Sequence, residues 1–236
     1  MTTQLQLGSV RIDVVQKDIK NMHLSVHPPH GRVTIAAPQR MKLDAIRVFA
    51  ISKLQWIKRQ QKKQQAQPRL SPRQHIERES HHVWGRRHLM KVIEHDAPPR
   101  VELSARYLKL HIRPGATREK RQQVMEQWYR HQVREALEEL LPKWEKLLRV
   151  RVGKVFVQRM RTRWGSCNHR TTTVRFNTEL AKKPRECLEY VVAHELAHLR
   201  ESTHNARFVA LLDQHLPKWQ MLRELLNQMP LEGHAG

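Results

Sequence analysis

Cysteine is scarce in this chain, with only Cys167 and Cys187 in 236 residues. Two cysteines do not provide the disulfide framework of a small secreted protein. No apolar run approaches the length of a membrane span, so the sequence predicts no membrane partner. The first fifteen residues lack the succession of charged, apolar and small residues that marks a signal peptide. We therefore expect a cytoplasmic protein.

Acidic residues are also few, with 22 Asp and Glu against 44 Lys and Arg, a formal net charge of +22. Residues 1–120 carry 24 basic and 9 acidic side chains, a net of +15, and residues 121–236 carry 20 and 13, a net of +7. A strong positive field favours an anionic substrate, a nucleotide, a nucleic acid or an acidic protein as partner. The same charge could serve solubility alone.

Histidines, in contrast, are abundant, and two of them lie in the stretch His194-Glu195-Leu196-Ala197-His198. This stretch matches the zinc-hydrolase pattern H-E-x-x-H. On a helix the two imidazoles lie one turn apart on one face and can reach the same metal ion. Glu195 points about 100° away around the helix axis, which suits a group that acts on a water molecule. Because the chain has 16 histidines, the motif could also be a chance pairing on a surface helix.

The surroundings of the motif favour a metal site. Apolar residues flank it on nearly all sides, which predicts a buried helix: Leu188, Tyr190, Val191, Val192, Ala193, Leu196, Ala197 and Leu199. Buried imidazoles are costly unless a partner satisfies them, and a metal would do so. A third histidine, His204, follows a polar turn and can fold back onto the site. Three protein ligands with one open position are the arrangement of catalytic zinc, so we predict a Zn²⁺ cofactor.

Alternating and periodic apolar residues predict the elements of the first part of the chain. We expect strands at Leu5–Val15, His23–Val26 and Arg32–Ala36, the last two joined as a hairpin. A helix is predicted over Leu43–Gln65, with a polar tail at Lys58–Gln67 that Pro68–Pro72 ends, and a loop is predicted at Gln74–Ser80.

The second part contains further strands and longer helices. Strands are predicted within Val83–Ile93 and at Val101–Leu103, Tyr107–Ile112, Lys154–Gln158 and Thr172–Asn177, with a turn at Trp164–Asn168. Thr117 is expected to cap a helix that runs to Leu148 and is kinked or split at Pro142. Helices follow at 184–199, 204–215 and 218–229. The sequence shows no internal repeat, and the pattern predicts an α+β fold.

Three arginines alternate with other residues just before Trp164: Arg159, Arg161 and Arg163. In an extended segment their guanidinium groups project from one face, where they can bind carboxylate or phosphate. A solvated strand edge has the same pattern, so both interpretations stay open. Tyr190 lies one turn before His194 and is a further substrate-binding candidate, although its position also suits a core residue.

Several blocks of the sequence together resemble the YgjP-like metallopeptidase-domain family, which is related to SprT-like and WLM metalloproteases. The specific blocks are Arg163-Trp164-Gly165-Ser166-Cys167, and Tyr190 to His198 followed by His204-Asn205 and Phe208. The resemblance spans about residues 10–229. It implies a β-rich N-terminal region packed with a helical, zincin-like metal-binding domain, which we divide at residues 1–80 and 81–236. It also implies that His194, His198 and His204 bind zinc and that Glu195 is catalytic.

Three functions remain open from the sequence. The first is a metallopeptidase in which zinc activates water and Glu195 is the general base. The second is a UTP pyrophosphatase, because some proteins of the resembled family are described as hydrolysing UTP to UMP and diphosphate, and an arginine row suits a triphosphate. No glycine-rich phosphate loop supports it. The third is a DNA-associated protease like the SprT-like relatives, which the charge of residues 1–120 favours.

Overall fold

The computed structural model describes residues 2–27, 31–66, 74–160 and 162–228. These residues belong to two compact units, one up to residue 66 and one from residue 74 onward. Each unit combines strands and helices, which confirms the predicted α+β class. Within the described ranges, none of the helices has both the length and the apolar composition that a membrane span requires.

The first unit is a four-stranded sheet followed by two helices. Its elements are β1 (Thr2–Leu7), β2 (Val10–Lys17), β3 (His23–His27), β4 (Arg32–Pro38), α1 (Leu43–Ser52) and α2 (Leu54–Ala66). The strand order is β1-β2-β4-β3, with β2 and β4 parallel and the outer pairs antiparallel. Inward-facing Ile12 and Ile35 of the sheet pack with Ile46 and Ile57 of the helices, so the apolar periodicity of both element types builds one core.

Two elements of this unit that the sequence predicts as continuous are each interrupted in the structure. The predicted strand Leu5–Val15 is a hairpin, because Gly8 has a φ of 60° and turns the chain back. The predicted helix Leu43–Gln65 is interrupted at Lys53, whose backbone N–H donates to carbonyls of the preceding turn and ends α1. The predicted hairpin of β3 and β4 is confirmed.

The second unit contains two sheets and the remaining helices. Its elements are β5 (Ser80–Val83), β6 (Arg86–Glu94), β7 (Arg100–Leu103), β8 (Tyr107–Ile112), α3 (Arg118–Leu148), β9 (Lys154–Gln158), β10 (Gly165–Asn168), β11 (Thr173–Asn177), a 3₁₀ helix (Thr178–Lys182), α4 (Arg185–Ala197), α5 (Ala206–His215) and α6 (Trp219–Gln228). The sheet orders are β5-β6-β8-β7 and β10-β11-β9.

The four-stranded sheets of the two units share one topology, although the sequence shows no repeat. In each, the first two strands form a hairpin, the second and fourth are parallel, and the third pairs antiparallel with the fourth. Both first hairpins turn at a glycine of positive φ, Gly8 in one unit and Gly85 in the other. The two units therefore repeat a pattern of strand pairing and not a sequence, because many different sequences can form the same pairing.

Two expectations for the second unit also need correction. The split predicted at Pro142 is wrong, because α3 continues through this residue with buried Leu140, Trp144 and Leu148 on both sides of it. The alternative, a kink at Pro142, stays a prediction. The predicted turn Trp164–Asn168 is largely strand β10, which pairs antiparallel with β11. The predicted cap is confirmed, since the Thr117 hydroxyl accepts a hydrogen bond from the backbone N–H of Lys120 at 3.3 Å.

Helix α4 is the central element of the second unit. Its middle and C-terminal turns are buried almost all round, as the apolar flanks of the motif predict. It packs against α3, α5, α6, β10 and β11. A rigid, enclosed helix holds the groups at its C-terminal end in fixed positions, and this end carries the H-E-x-x-H motif.

Candidate metal centre

Three imidazoles converge at the end of α4. His194 lies in the last turn, His198 is the C-cap residue, and His204 lies in the segment that leads to α5. One potential ligand atom from each histidine lies within 4.8 Å of the other two. The Nε2 atoms of His194 and His204 are 3.1 Å apart. Two candidate ligands at helical spacing and a third from the following turn thus lie close enough to hold one metal ion.

The segment between α4 and α5 is fastened by hydrogen bonds that orient the ligands. His198 Nδ1 lies 3.1 Å from the backbone carbonyl of Glu201. Because a carbonyl only accepts, this ring nitrogen donates, and Nε2 keeps its lone pair free. The side-chain amide of Asn205 donates to Glu201 Oε2 at 2.9 Å, and its oxygen caps α5 at Phe208.

The ring of Phe208 packs against the imidazoles and limits their movement. Its centroid lies 5.0 Å from that of His194 and 4.7 Å from those of His198 and His204. The Phe208 side chain is buried. An apolar ring beneath three polar rings excludes water on that side and leaves the nitrogens facing one another.

Burial favours the neutral form of two of the three imidazoles, those of His194 and His198. Burial, together with smaller electrostatic contributions from His198, His204 and Arg223, lowers the pKa of His194 to about 3. Burial also lowers the pKa of His198. Neutral imidazole is the form that binds a metal ion, so the cluster is ready to accept a cation near neutral pH.

Glu195 lies beside the histidines with its carboxyl group largely withdrawn from solvent. Its side chain is 7% exposed. Burial raises its pKa to about 8, while the charge of Arg163 acts in the opposite direction. A carboxyl group with a pKa near neutrality can both accept and return a proton, which is the property required of a general base and acid.

The strand β10 approaches α4 so closely that only glycine fits at its first position. A β-carbon on Gly165 would lie 2.7 Å from Cγ and from Oε1 of Glu195, and 2.9 Å from Cγ1 of Val191. Such distances are too short for carbon atoms in contact. The missing side chain of Gly165 is therefore what gives Glu195 its position.

Asn177 holds the segment that precedes β10. It is fully buried, and its amide nitrogen donates to the carbonyls of Met160 and Arg163, each at 2.8 Å. Its amide oxygen accepts from the backbone N–H groups of Met160 and Glu179. One side chain thus ties the loop with Arg163 and Trp164 to the end of β11.

The three predicted arginines have different positions. Arg163 is exposed and lines a cleft beside Glu195. Arg159 forms an ion pair with Glu126 of α3 at 2.8 Å and does not line this cleft. Arg161 lies outside the described residues. A substrate-binding role for the three stays a prediction.

The cleft opens along α4 toward α6 and encloses about 570 Å³, including space open to solvent. Tyr190 belongs to its wall, with its ring 5.7 Å from that of His194 and stacked on Trp219 at 6.5 Å. Burial raises the pKa of Tyr190 to about 12, so its hydroxyl stays protonated. Tyr190 is therefore both a core residue and a cleft residue, and the two interpretations offered by the sequence are compatible.

Sequence reasoning missed three parts of this site. Gly165 has its role through contact with a helix thirty residues away, and Arg223 and Asn227 of α6 line the cleft without belonging to any motif. Within the described ranges the structure brings no other triad of His, Cys, Asp or Glu into metal-binding distance. Cys167 is thus not a member of the cluster, and burial raises the pKa of its thiol to about 11.

Comparison with known proteins identifies a related family and two partial structural matches. A family model described as the YgjP-like metallopeptidase domain matches residues 20–229. The metallopeptidase zymogen abylysin of Pyrococcus abyssi is 19% identical, with a TM-score of 0.36 over 38% of this chain and 90% of that one. The zymogen jannalysin of Methanocaldococcus jannaschii is 18% identical, with a TM-score of 0.36 over 39% and 88%. The search of curated proteins gave no match.

Proposed function

Because the chain belongs to the YgjP-like metallopeptidase family, we propose that it is a zinc-dependent peptidase with His194, His198 and His204 as metal ligands and Glu195 as general base. Family membership supports a hydrolase that uses a divalent metal. The observation that carries the finer proposal is the convergence of three histidine side chains beside one buried carboxyl group.

The donor set fits zinc better than it fits magnesium or calcium. Nitrogen donors suit Zn²⁺, whereas Mg²⁺ and Ca²⁺ prefer oxygen. Tetrahedral zinc bonds of roughly 2.0–2.1 Å separate ligand nitrogens by roughly 3.3 Å. The 3.1 Å between Nε2 of His194 and Nε2 of His204 is close to this value.

The proposed mechanism assigns each step to a side chain of this site. Zinc, when bound, supplies Lewis acidity that polarises the scissile carbonyl and acidifies water. A carboxylate oxygen of Glu195 takes the proton of the attacking water and returns it to the amine that leaves. The absence of a side chain at Gly165 leaves the space that the Glu195 carboxyl group occupies. The Tyr190 hydroxyl, which stays protonated, can donate a hydrogen bond to the oxygen that becomes negative.

Replacement of Glu195 tests the mechanism directly. We expect Glu195→Gln to keep one zinc per chain by elemental analysis while peptide hydrolysis falls at least about 100-fold, because only proton transfer is removed. The matched control is Glu186→Gln, which makes the same change at an exposed position of α4 and is expected to keep full activity. A Glu195→Gln protein that still hydrolyses peptides would contradict the proposed role.

A nucleotide pyrophosphatase is the second candidate, and one observation favours it. Arg163 and Arg223 both line the cleft beside Glu195, and phosphoryl transfer depends on neutralising negative charge. The same zinc-loaded protein should therefore be offered UTP and other nucleoside triphosphates beside a peptide mixture. Selective turnover of UTP that is lost in Glu195→Gln, with no peptide cleavage, would replace the peptidase proposal.

A further inference from the structure

The two arginines of the cleft come from separate parts of the chain and line the same cleft as Glu195. Arg163 lies in the loop before β10, and Arg223 lies in α6. Leu226 and Asn227, one turn after Arg223, line the cleft with it. One face of α6 therefore forms a wall opposite the loop, with a cation on each side.

Both guanidinium groups are without a hydrogen bond or ion pair to the described part of the chain. Over the described ranges, no hydrogen bond or ion pair is formed by the side chain of Arg163 or of Arg223, and both are exposed. Other arginines of the same unit are paired, such as Arg159 with Glu126 at 2.8 Å and Arg185 with Glu139 at 2.9 Å. The cations in the cleft thus keep their full hydrogen-bonding capacity.

The cleft contains little negative charge to compensate them. Among the described residues that line the cleft, Glu195 is the only acidic one. Glu224, next to Arg223 on α6, does not line the cleft. A ligand that enters with an anionic group would meet two donors that suit a carboxylate in geometry and in charge.

We propose that Arg223 and Arg163 form a carboxylate-binding subsite that selects peptides with an acidic group close to the scissile bond. This inference rests on the proposed peptidase function, and it deepens it by naming a substrate class. The carboxylate can belong to an Asp or Glu side chain or to a free C-terminus, since both present the same two oxygens. Leu226 and Trp164 supply apolar surface for the rest of the residue.

Matched peptides distinguish the sources of the carboxylate. The zinc-loaded protein receives four peptides that are identical except for Glu or Gln next to the cleaved bond and for a free or amidated C-terminus. We expect a preference of about 10- to 100-fold in kcat/KM for the peptide with the recognised carboxylate. A preference that follows the side chain assigns the subsite to Asp and Glu, and one that follows the terminus assigns it to the C-terminal carboxylate.

Variants of Arg223 test whether the preference depends on this residue. Arg223→Gln should reduce the preference to less than about threefold. Arg223→Glu should reverse it toward a Lys peptide, which simple damage to the fold would not do. Arg134→Gln is the matched control, because Arg134 is exposed on α3 and lies outside the cleft. Equal cleavage of all four peptides, or an unchanged preference in Arg223→Gln, would overturn the subsite.

A binding measurement separates failure of the subsite from failure of the proposed function. Fluorescence anisotropy of the labelled Glu and Gln peptides on Glu195→Gln, with and without Arg223→Gln, requires no turnover. Arg223-dependent binding without cleavage by the wild-type protein would support the subsite and refute the peptidase. Arg223-dependent binding of UTP in preference to every carboxylate peptide would overturn the assignment to carboxylate.

Discussion

Gly165 illustrates how a single residue controls the site at the scale of individual atoms. Its hydrogen occupies the space in which a methyl group would press on Glu195 and Val191. The atoms of Glu195 that this methyl group would meet are Cγ and Oε1, so a substitution here acts directly on the carboxyl group. The position of the proposed general base thus depends on the lack of a β-carbon at Gly165.

Gly165→Ala tests this dependence. We expect the free energy of unfolding to fall by about 1–3 kcal/mol through overpacking, and hydrolysis to fall at least about 10-fold because Glu195 is displaced. Zinc content should stay near one per chain, since no ligand is touched. Denaturant unfolding, elemental analysis and a peptide assay measure the three quantities. Ser166→Ala on the same strand is the control, and wild-type stability and activity in Gly165→Ala would refute the interpretation.

Elements are joined in the second unit by a small number of polar side chains, and Glu79 is one of them. It lies directly before β5 and accepts hydrogen bonds from the backbone N–H groups of Gln74 and His75 at 3.0 and 2.7 Å. Burial acts to raise the pKa of Glu79, but these bonds and the one with His81 outweigh it, so the pKa is lowered. The ionised carboxylate thus fastens the segment before β5.

The pH dependence of stability should reflect this lowered pKa. A carboxyl group whose pKa is lower in the folded state stabilises the protein above its unfolded pKa, and the contribution is lost as pH falls through the folded value. We expect Glu79→Gln to cost about 1 kcal/mol at pH 7, since solvent screens a half-buried carboxylate. The difference should shrink below pH about 4.5.

Chemical denaturation of both proteins between pH 3 and 7 provides the measurement. Glu94→Gln, at an exposed position at the end of β6, should show no such pH-dependent difference. A difference between wild type and Glu79→Gln that grows toward low pH would have the wrong sign and would refute the assignment.

At the scale of the whole molecule, the three histidines of the proposed metal site come from the end of one helix and from the segment that leads to the next. His194 and His198 belong to the end of α4, and His204 precedes α5. An ion bound by all three would link these helices in the folded state only. Ligands that bind only the folded form raise its stability in proportion to the logarithm of their concentration.

Removal of the metal should therefore destabilise the full chain. At zinc one hundred times above its Kd, stabilisation is about 2.7 kcal/mol, and chelation should lower the Tm by roughly 5–10 °C. Added zinc should restore it. His204→Ala should remove the response, whereas His131→Ala, at an exposed position of α3, should preserve it. A Tm that does not change on chelation and zinc addition would contradict a site built from these histidines.

Charge is also a property of the whole chain. The net charge of +22, with its excess in residues 1–120, keeps a nucleic-acid partner among the predictions, because such binding depends on Lys and Arg contacts with phosphates. A DNA-associated function and a cytoplasmic location both stay predictions.

The sequence by itself determined the parts of the site that depend on local geometry. His194, Glu195 and His198 could be assigned because helical periodicity fixes which side chains share a face, and His204 because the turn after α4 is short. The α+β class and the burial of α4 followed from apolar patterns in the same way. Local patterns did not predict the elements that depend on pairing between strands, such as the hairpin at Gly8 and strand β10.

Only the tertiary structure decided which distant residues complete the site. Gly165 is recognised as necessary once β10 lies against α4, and Arg223 and Asn227 join the cleft because α6 packs along that helix. Arg159, which the sequence places with Arg163, pairs instead with Glu126 of α3. Helical periodicity involves only a few neighbouring residues, so it can be recognised in the sequence. Contacts between elements depend on how the whole chain packs.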